Sequence, residues 1–241
     1  METPIKIDRS YSEDFNYASE RNRNPYHAKL EKFSNFVMRD NEAEEFKGRW
    51  NKDVFKREGK LIAEVGSGYG RFMMHYCENN PEVNYVGIDY RFKRSFELAL
   101  QLEKHPTQNF RYLRAKGERV SFLFGESELD EMFYFFPDPW PKRRHNKKRL
   151  FQEPFLKSVK QVLKPGGLLF VKTDHEDYFD WMENILQQEN ETNKDFKVLF
   201  KTRDLYKEHP DHFLADFQTK FEKIFLRKGI KIKGFVLQNI K

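Results

Sequence analysis

The stretch LIAEVGSGYGRFMMHYCEN (61–79) decides the fold. A short apolar run typical of a buried strand leads into a turn with three glycines, and a helical pattern follows at once. Further strands are expected at 84–90, 110–116, 131–136 and 168–174, with helices at 71–79, 91–104 and 150–164. Strands that alternate with helices in this way predict a doubly wound α/β fold, in which a mostly parallel sheet carries helices on both faces.

The carboxyl-terminal part of the chain extends this alternation. The glycine pair in PGG (165–167) predicts a helix stop before the fifth strand. Beyond it, the patterns within 196–206 and 221–238 predict two more strands, antiparallel to the others. The complete sheet is therefore expected to have seven strands.

The amino-terminal part, residues 1–58, shows no strand alternation. It contains a basic stretch, RNRNPYH (21–27), followed by a helical pattern over 28–38. We therefore expect an N-terminal basic and helical extension at 1–58 and one α/β domain at 59–241.

Composition restricts the class of protein. Of 241 residues, 38% are hydrophobic and 34% charged, and no apolar run approaches the roughly 18 residues of a membrane-spanning helix. Cys77 is the one cysteine, which excludes an intrachain disulfide and a cysteine-rich zinc site. The first twenty residues are polar and predict no secretion signal, so the expected location is the cytoplasm. The net charge of +6 is modest, and the clustering of the bases is therefore more informative than their excess.

Two acids accompany the glycine turn. Glu64 lies two residues before Gly66, where its carboxylate would repel the pyrophosphate of a dinucleotide, which argues against a nicotinamide oxidoreductase. The same carboxylate would attract the ammonium or sulfonium group of S-adenosylmethionine. The spacing of Gly66, Gly68 and Gly70 also differs from the dinucleotide fingerprint. Asp89 ends the second predicted strand, where an acid can bind ribose hydroxyls, so the turn predicts a methyl-donor site.

A second polar stretch, FPDPWPKRRHNKKR (136–149), follows the fourth predicted strand. Asp138 lies between two prolines, which restrict the backbone and hold the carboxylate on a turn. Ligands of open α/β sheets bind outside the carboxyl ends of the strands, so Asp138 is a candidate for orienting a substrate. Trp140 can stack on a base or cap the sheet.

The bases after this turn predict contact with a polyanion. Lysine and arginine side chains can neutralise phosphates while the nearby acid reads a base. A solvated helix start is the alternative interpretation of the same residues. His145 has no companions at metal-ligand spacing, so no metal site is expected. The predicted phosphate contacts are Arg143, Arg144, Lys147, Lys148 and Arg149.

Five motifs make the chain similar to the bacterial single-subunit type of the tRNA (guanine-N7-)-methyltransferase family. They are EVGSGYG (64–70), VGIDY (86–90), FPDPWPKRRHNKKR (136–149), KTDHEDY (172–178) and TKFE (219–222), in the family's order. The resemblance implies a seven-stranded class I methyltransferase fold, S-adenosylmethionine as cofactor and tRNA as partner. It implies methylation of guanine 46 in the variable loop at N7. It also implies that the protein is a monomer or homodimer, that it does not associate with a membrane, and that it needs no second protein for activity.

The resemblance also implies residue roles. Glu64 and Asp89 would bind S-adenosylmethionine, and Asp138 would be the active-site acid that also faces the donor. One position departs from the family, because Lys116 stands where an acid lies beside the adenine, and Glu118 is the alternative acid. The guanine or tRNA contacts implied are Lys142, Asp174, Thr219, Lys220, Phe221 and Glu222.

Two other functions are compatible with these residues. Asp-Pro-Trp is similar to the loops of methyltransferases that act on an exocyclic amine of nucleic acid, although the basic run that follows argues against them. Lys116 in place of an acid fits a non-catalytic RNA-binding relative that has lost its donor site. The acids Glu64, Asp89, Asp138 and Asp174 argue for an active enzyme.

Overall fold

Eight strands form one sheet in the computed structural model, which describes residues 9–17 and 24–241. Their order across the sheet is β1-β4-β3-β2-β5-β6-β8-β7, and all neighbouring pairs are parallel except those that β8 makes with β6 and β7. The doubly wound, mostly parallel fold with antiparallel last strands is therefore confirmed. The strands are β1 Val37–Arg39, β2 Leu61–Val65, β3 Asn84–Asp89, β4 Phe110–Arg114, β5 Leu129–Phe135, β6 Leu163–Thr173, β7 Phe196–Thr202 and β8 Lys233–Asn239.

Helices cover both faces of the sheet. They are α1 Pro25–Leu30, α2 Asn41–Glu44, α3 Arg71–Asn79, α4 Phe92–Leu102, α5 Val120–Leu123, α6 Glu153–Val162, α7 Glu176–Thr192, α8 Leu205–Glu208 and α9 Lys220–Arg227. One apolar core joins the sheet to α5, α6 and α7, and the other joins it to α3 and α4. Strand β2 contributes Leu61, Ala63 and Val65 to the first core and Ile62 to the second, as alternating side chains of a buried strand do.

The strand order reverses at β2. From β2 the chain runs outward through β3 and β4 on one side, and it returns to the other side for β5 and β6. The carboxyl ends of β2, β3, β5 and β6 thus lie next to one another around the reversal. Glu64, Asp89, Asp138 and Asp174 lie at or just after these ends, at the position where open α/β sheets bind ligands.

The amino-terminal part differs from its prediction. The helix expected over 28–38 ends with the short 3-10 turn Glu31–Phe33, and Val37–Arg39 instead forms β1 beside β4, which raises the strand count from seven to eight. Strand formation is favoured here because Arg114, at the end of β4, forms a buried ion pair with Asp40. Residues 21–23 of the predicted basic stretch lie outside the described part of the chain. The domain boundary at residue 58 stays a prediction.

The carboxyl-terminal part differs as well. The strand expected over 221–238 begins only at Lys233, because Lys220–Arg227 forms helix α9. Thr219 and Glu222 make the reciprocal bonds of a capping box at its start, and this Thr-x-x-Glu spacing is itself a helix-start signal. Helix α6 ends at Val162, shortly before the predicted PGG stop.

Candidate active site

The glycine turn has the backbone shape that glycine permits. Gly66, Gly68 and Gly70 all have positive φ, and a Cβ atom on Gly70 would lie 2.8 Å from Leu98. A Cβ atom on Gly66 would meet nothing within 4 Å, so the space in front of this glycine is open. The amides of Gly66 and Ser67 both donate to the carbonyl of Ile88, which fixes the turn on β3. A ligand could therefore approach the backbone of this turn closely at Gly66.

Glu64 is a buried carboxylate in β2, two residues before Gly66. Its side chain is 4% exposed and accepts a hydrogen bond from the hydroxyl of Tyr85, at 3.1 Å. Burial raises the pKa of Glu64 to about 8, with a smaller contribution from Asp89. A carboxylate held in this way gains from a neighbouring cation, since the ionised form lacks a charged partner in the described part of the chain.

Asp89 ties β3 to the glycine turn. Its carboxylate accepts hydrogen bonds from the amides of Gly68, at 3.1 Å, and Arg91, at 2.9 Å, and from the guanidinium of Arg94, at 3.1 Å. The side chain is thus fixed before any ligand is present. Its position at the end of β3, next to the glycine turn, is the one predicted for ribose recognition.

The end of β4 carries the departure noted in the sequence. The ammonium group of Lys116 donates to the hydroxyl of Ser10, at 3.1 Å, and lies over the rings of Phe15 and Tyr90. Glu118 lies in the short 3-10 turn that follows. The segment 9–17 therefore covers Lys116, a contact that no pattern in the sequence indicates.

The turn that carries Asp138 is exposed and strained. The side chain of Asp138 is 70% exposed, and its carboxylate lies 3.9 Å from the guanidinium of Arg91. Phe136 and Trp140, on either side, have positive φ, which is uncommon for large side chains and is often found at functional sites. Sequence reasoning identified the prolines as the restraint but missed these two positions.

The basic run divides into an exposed part and one buried residue. Lys142, Arg143, Arg144, Lys147 and Lys148 are exposed along the 3-10 turn Arg143–Lys148. Arg149 is 4% exposed, and its Nε donates to the carbonyl of Pro139, at 2.9 Å. The structure therefore places Arg149 under the Asp138 turn, apart from the exposed phosphate-binding strip predicted from the sequence.

Asp174 and helix α9 complete the same edge of the sheet. Asp174 is half-buried directly after β6, and its carbonyl accepts a hydrogen bond from Lys233, at 3.0 Å. Thr219 is the N-cap of α9, Lys220 is exposed, and Phe221 is 60% exposed. The side chains of Asp174, Lys220 and Phe221 are therefore accessible to a ligand. The side chain of Thr219 is used to cap the helix.

Glu222, a predicted guanine or tRNA contact, is buried at the start of helix α9. Its carboxylate is fully buried, lies 2.6 Å from the ammonium of Lys172 and accepts a hydrogen bond from Tyr206, at 2.7 Å. Lys172 also donates to the carbonyls of Leu214, at 2.8 Å, and Phe217, at 3.2 Å. With these partners Glu222 anchors helix α9, and its predicted contact with the guanine or tRNA stays a prediction. Lys172, which sequence reasoning missed as a functional residue, shares this role.

The arrangement fits a cationic nucleoside cofactor. The open space at Gly66, the buried carboxylate of Glu64 and the fixed carboxylate of Asp89 lie at the carboxyl ends of the neighbouring strands β2 and β3. No group of three His, Cys, Asp or Glu side chains that could hold a metal occurs among residues 9–17 and 24–241. In this described part, no helix is long and apolar enough to cross a membrane.

Comparison with known proteins identifies the family. A sequence model described as "Putative methyltransferase" matches residues 58–234. A bifunctional glycosyltransferase/methyltransferase of Fusobacterium nucleatum is 31% identical over 92% of this chain, which spans 33% of that longer relative. A tRNA (guanine-N(7)-)-methyltransferase of Bdellovibrio bacteriovorus is 33% identical over 80% of this chain and 90% of its own length.

The solved structures agree on the fold. The structure of an antibiotic-related methyltransferase superimposes with a TM-score of 0.55 at 19% identity, covering 78% of this chain and 93% of its own. At this identity the likeness supports the fold and leaves the substrate open. The sequence matches are closer, and the family suggested by the five motifs is confirmed. The chain belongs to the tRNA (guanine-N7-)-methyltransferase family.

Proposed function

We propose that this protein transfers a methyl group from S-adenosylmethionine to N7 of a guanine in tRNA. One observation carries the proposal. A buried, cation-seeking carboxylate at Glu64 and an exposed carboxylate at Asp138 lie at neighbouring strand ends, and the exposed basic strip begins four residues after Asp138. This edge of the sheet thus offers a place for a cationic donor beside a place for an RNA base. The tRNA substrate named for the Bdellovibrio relative supports the choice of RNA.

The proposed reaction does not need a general base. S-adenosylmethionine, when bound, supplies an electrophilic methyl group on a sulfonium. Guanine N7 has a free lone pair, so no proton has to leave before it attacks. Asp138 is therefore proposed to accept hydrogen bonds from N1–H and the 2-amino group and to stabilise the positive charge that develops on the ring. In-line positioning of the two reacting atoms supplies most of the remaining acceleration.

The other residues divide between donor and RNA. We place Glu64 against the cationic end of the donor and Asp89 against its ribose. The backbone of the glycine turn would pack against the donor between these two groups. Asp138 faces both the donor and the guanine. Asp174 is half-buried at the next strand end and is proposed to share recognition of the guanine edge.

The exposed strip is proposed to bind the tRNA backbone. Arg143, Arg144, Lys147 and Lys148 would contact phosphates, which position the RNA without reading its sequence. Lys142 is nearest to Asp138 in the chain and would help to place the guanine. We further propose guanine 46 of the variable loop as the target and activity without a second protein.

The test is methyl transfer by the purified protein alone. Unmodified tRNA transcript is incubated with labelled S-adenosylmethionine, and the product is digested to nucleosides and mapped by mass spectrometry. The proposal predicts 7-methylguanosine at position 46. Label on an exocyclic amine, or no label from a protein that binds tRNA but not the donor, would replace it with one of the two alternative functions.

A further inference from the structure

A cavity of about 310 Å³ lies behind the Asp138 turn, between the 3-10 turn Arg143–Lys148 and helix α7. This volume is at the lower end of the range of about 300–1,000 Å³ for small-molecule sites, and it suits one nucleotide. The roles proposed above for the donor and the guanine leave this cavity unused. Its walls include Arg143, Asn146, Arg149, Asp177, Trp181 and Asn184.

Arg149 gives the cavity a built-in donor group. Its Nε is occupied by the carbonyl of Pro139, and its guanidinium lies 5.0 Å from the ring of Tyr178 and 5.2 Å from that of Trp181. Neither terminal nitrogen makes a hydrogen bond with a residue in the described ranges 9–17 and 24–241. Burial lowers the pKa of Arg149, as expected for a cation that lacks a full set of acceptors. A buried cation with free donors beside a cavity is a position that an acceptor-bearing ligand would satisfy.

The other walls favour a nucleobase over a lone anion. Asn146 and Asn184 offer both donors and acceptors, and the carboxylate of Asp177 accepts only. A lone phosphate would be attracted by Arg149 but repelled by Asp177. A base edge has ring acceptors for the guanidinium and an amino group for the carboxylate, and Trp181 adds an aromatic wall. Single-stranded RNA is commonly recognised by this combination of arginine, aromatic and amide contacts.

The position of the cavity connects it to the reaction. Pro139, whose carbonyl holds Arg149, follows Asp138 directly in the chain, and Arg143 stands at the cavity and in the exposed basic strip. A strand whose guanine contacts Asp138 therefore passes the cavity with its next residue. We propose that this cavity holds the base of a tRNA nucleotide adjacent to the methylated guanine, with its phosphate near Arg143. The proposal rests on the proposed function for the identity of the RNA.

Filling the cavity tests this directly. Asn184 is exposed on α7, so Asn184→Phe can be tolerated by the fold while its ring occupies the cavity. The matched control is Gln187→Phe, because Gln187 is exposed on the same helix and does not line the cavity. We expect Asn184→Phe to weaken binding of unmodified tRNA about tenfold, as expected when one base can no longer be held, whereas the control binds like the parent protein.

Three further readouts identify the ligand. S-adenosylmethionine affinity and the salt dependence of tRNA binding should be unchanged in Asn184→Phe, because no charge and no donor contact is removed. A tRNA with one abasic residue next to the target guanine should bind the parent protein about tenfold more weakly than intact tRNA does. Asn184→Phe should bind the abasic and the intact tRNA equally well, because its cavity is already filled. The proposal would be overturned if both phenylalanine variants bound tRNA equally well. It would also be overturned if the effects of the abasic residue and of Asn184→Phe on the free energy of binding were additive. These binding results are independent of product formation, so they remain decisive if the methylation test fails.

Discussion

The two halves of the site differ in how completely the protein has organised them. Around the glycine turn, Glu64 and Asp89 are buried and already hold a hydroxyl, two backbone amides and a guanidinium. Around the second turn, Asp138 stands largely in water, with the guanidinium of Arg91 at 3.9 Å. The half proposed for the donor is therefore organised before any ligand is present, whereas the half proposed for RNA leaves its carboxylate largely in water.

This difference has an energetic consequence. A desolvated carboxylate such as Glu64 is costly by itself, and a bound cation offsets that cost. An exposed charge such as Asp138 interacts weakly until a bound base excludes the water around it. Substitutions in the donor half should therefore change donor affinity, and substitutions in the RNA half should change turnover or RNA affinity. Five predictions test this comparison of the two halves.

The largest expected effect concerns the buried support of the RNA half. Lys172→Met leaves the carboxylate of Glu222 buried without its cation, and we expect the free energy of unfolding to fall by about 3–5 kcal/mol. The double variant Lys172→Met/Glu222→Gln should be less destabilised than the sum of the single variants, since the uncompensated charge is gone. Urea unfolding followed by circular dichroism measures both.

An exposed pair supplies the control for this experiment. Lys201 and Glu183 form an ion pair of 2.9 Å on the surface, so Lys201→Met should cost about 0–1 kcal/mol. If Lys172→Met is as mild as Lys201→Met, helix α9 does not depend on the buried pair. The buried pair of Lys172 and Glu222 would then not be what stabilises the RNA half.

The next largest effect should come from Asp138→Asn. Removing the charge should lower turnover at saturating substrates by a factor corresponding to about 2–4 kcal/mol of transition-state stabilisation. Donor affinity, measured by calorimetry, should be nearly unchanged, because Glu64 and Asp89 keep their contacts. Asp211→Asn, at another exposed aspartate, is the control. Full turnover by Asp138→Asn would make this acid a structural turn residue.

Glu64→Gln should weaken S-adenosylmethionine binding about tenfold or more and remove its pH dependence. The pKa of Glu64 is raised from 4.5 to about 8, so below pH 8 the parent protein must release a proton to present a carboxylate to the cation. Its donor affinity should therefore rise as pH increases towards 8. Calorimetry in buffers of different ionisation enthalpy would detect the proton release, and its absence would contradict the assignment.

The same pKa predicts an effect on stability without donor. Because the folded state prefers protonated Glu64, the stability that this preference contributes is present below about pH 4.5 and is lost as pH rises through about 8. The parent protein should thus lose stability relative to Glu64→Gln over this interval. Thermal unfolding of both proteins at several pH values measures the difference, and parallel curves would argue against a buried, protonated carboxylate.

The fold was largely predictable because its signals are local. The strand at 61–65, the glycine turn and helix 71–79 each show their own pattern, and the alternation predicts the parallel sheet. Strand β1 was not predictable, since Val37–Arg39 becomes a strand by pairing with residues 112–114, far away in the chain. Helix α9 was missed although Thr219 and Glu222 carry a capping-box spacing, because the apolar run after them was interpreted as a strand.

The site was predictable in residue type more than in environment. The spacing of Glu64, Asp89 and Asp138 places each at a strand end, where the structure has them. Burial depends on the three-dimensional neighbours, so the sequence could not separate Arg149 from the exposed bases before it or Glu222 from the exposed Phe221. The positive φ of Phe136 and Trp140 likewise has no local sequence signal.

The smallest expected effect separates the exposed strip from Arg149. Replacing Arg144, Lys147 and Lys148 by alanine should flatten the plot of log affinity for tRNA against log salt concentration, by roughly 0.7–0.9 in slope for each phosphate that is no longer neutralised. Turnover at saturating tRNA should change little, because these side chains are proposed to contact phosphates and not the reacting guanine.

A second triple variant controls for net charge. Lys157, Lys194 and Lys197 are exposed away from the carboxyl ends of the strands, and their replacement by alanine removes the same charge. This variant should keep the parent slope, because counterions are released where phosphates are bound. Arg149→Met should also keep the slope, since its buried guanidinium lies under the Asp138 turn, but it should lower turnover by freeing the carbonyl of Pro139. Equal slopes for the two triple variants would show that the basic strip is a solvated surface that binds no phosphate.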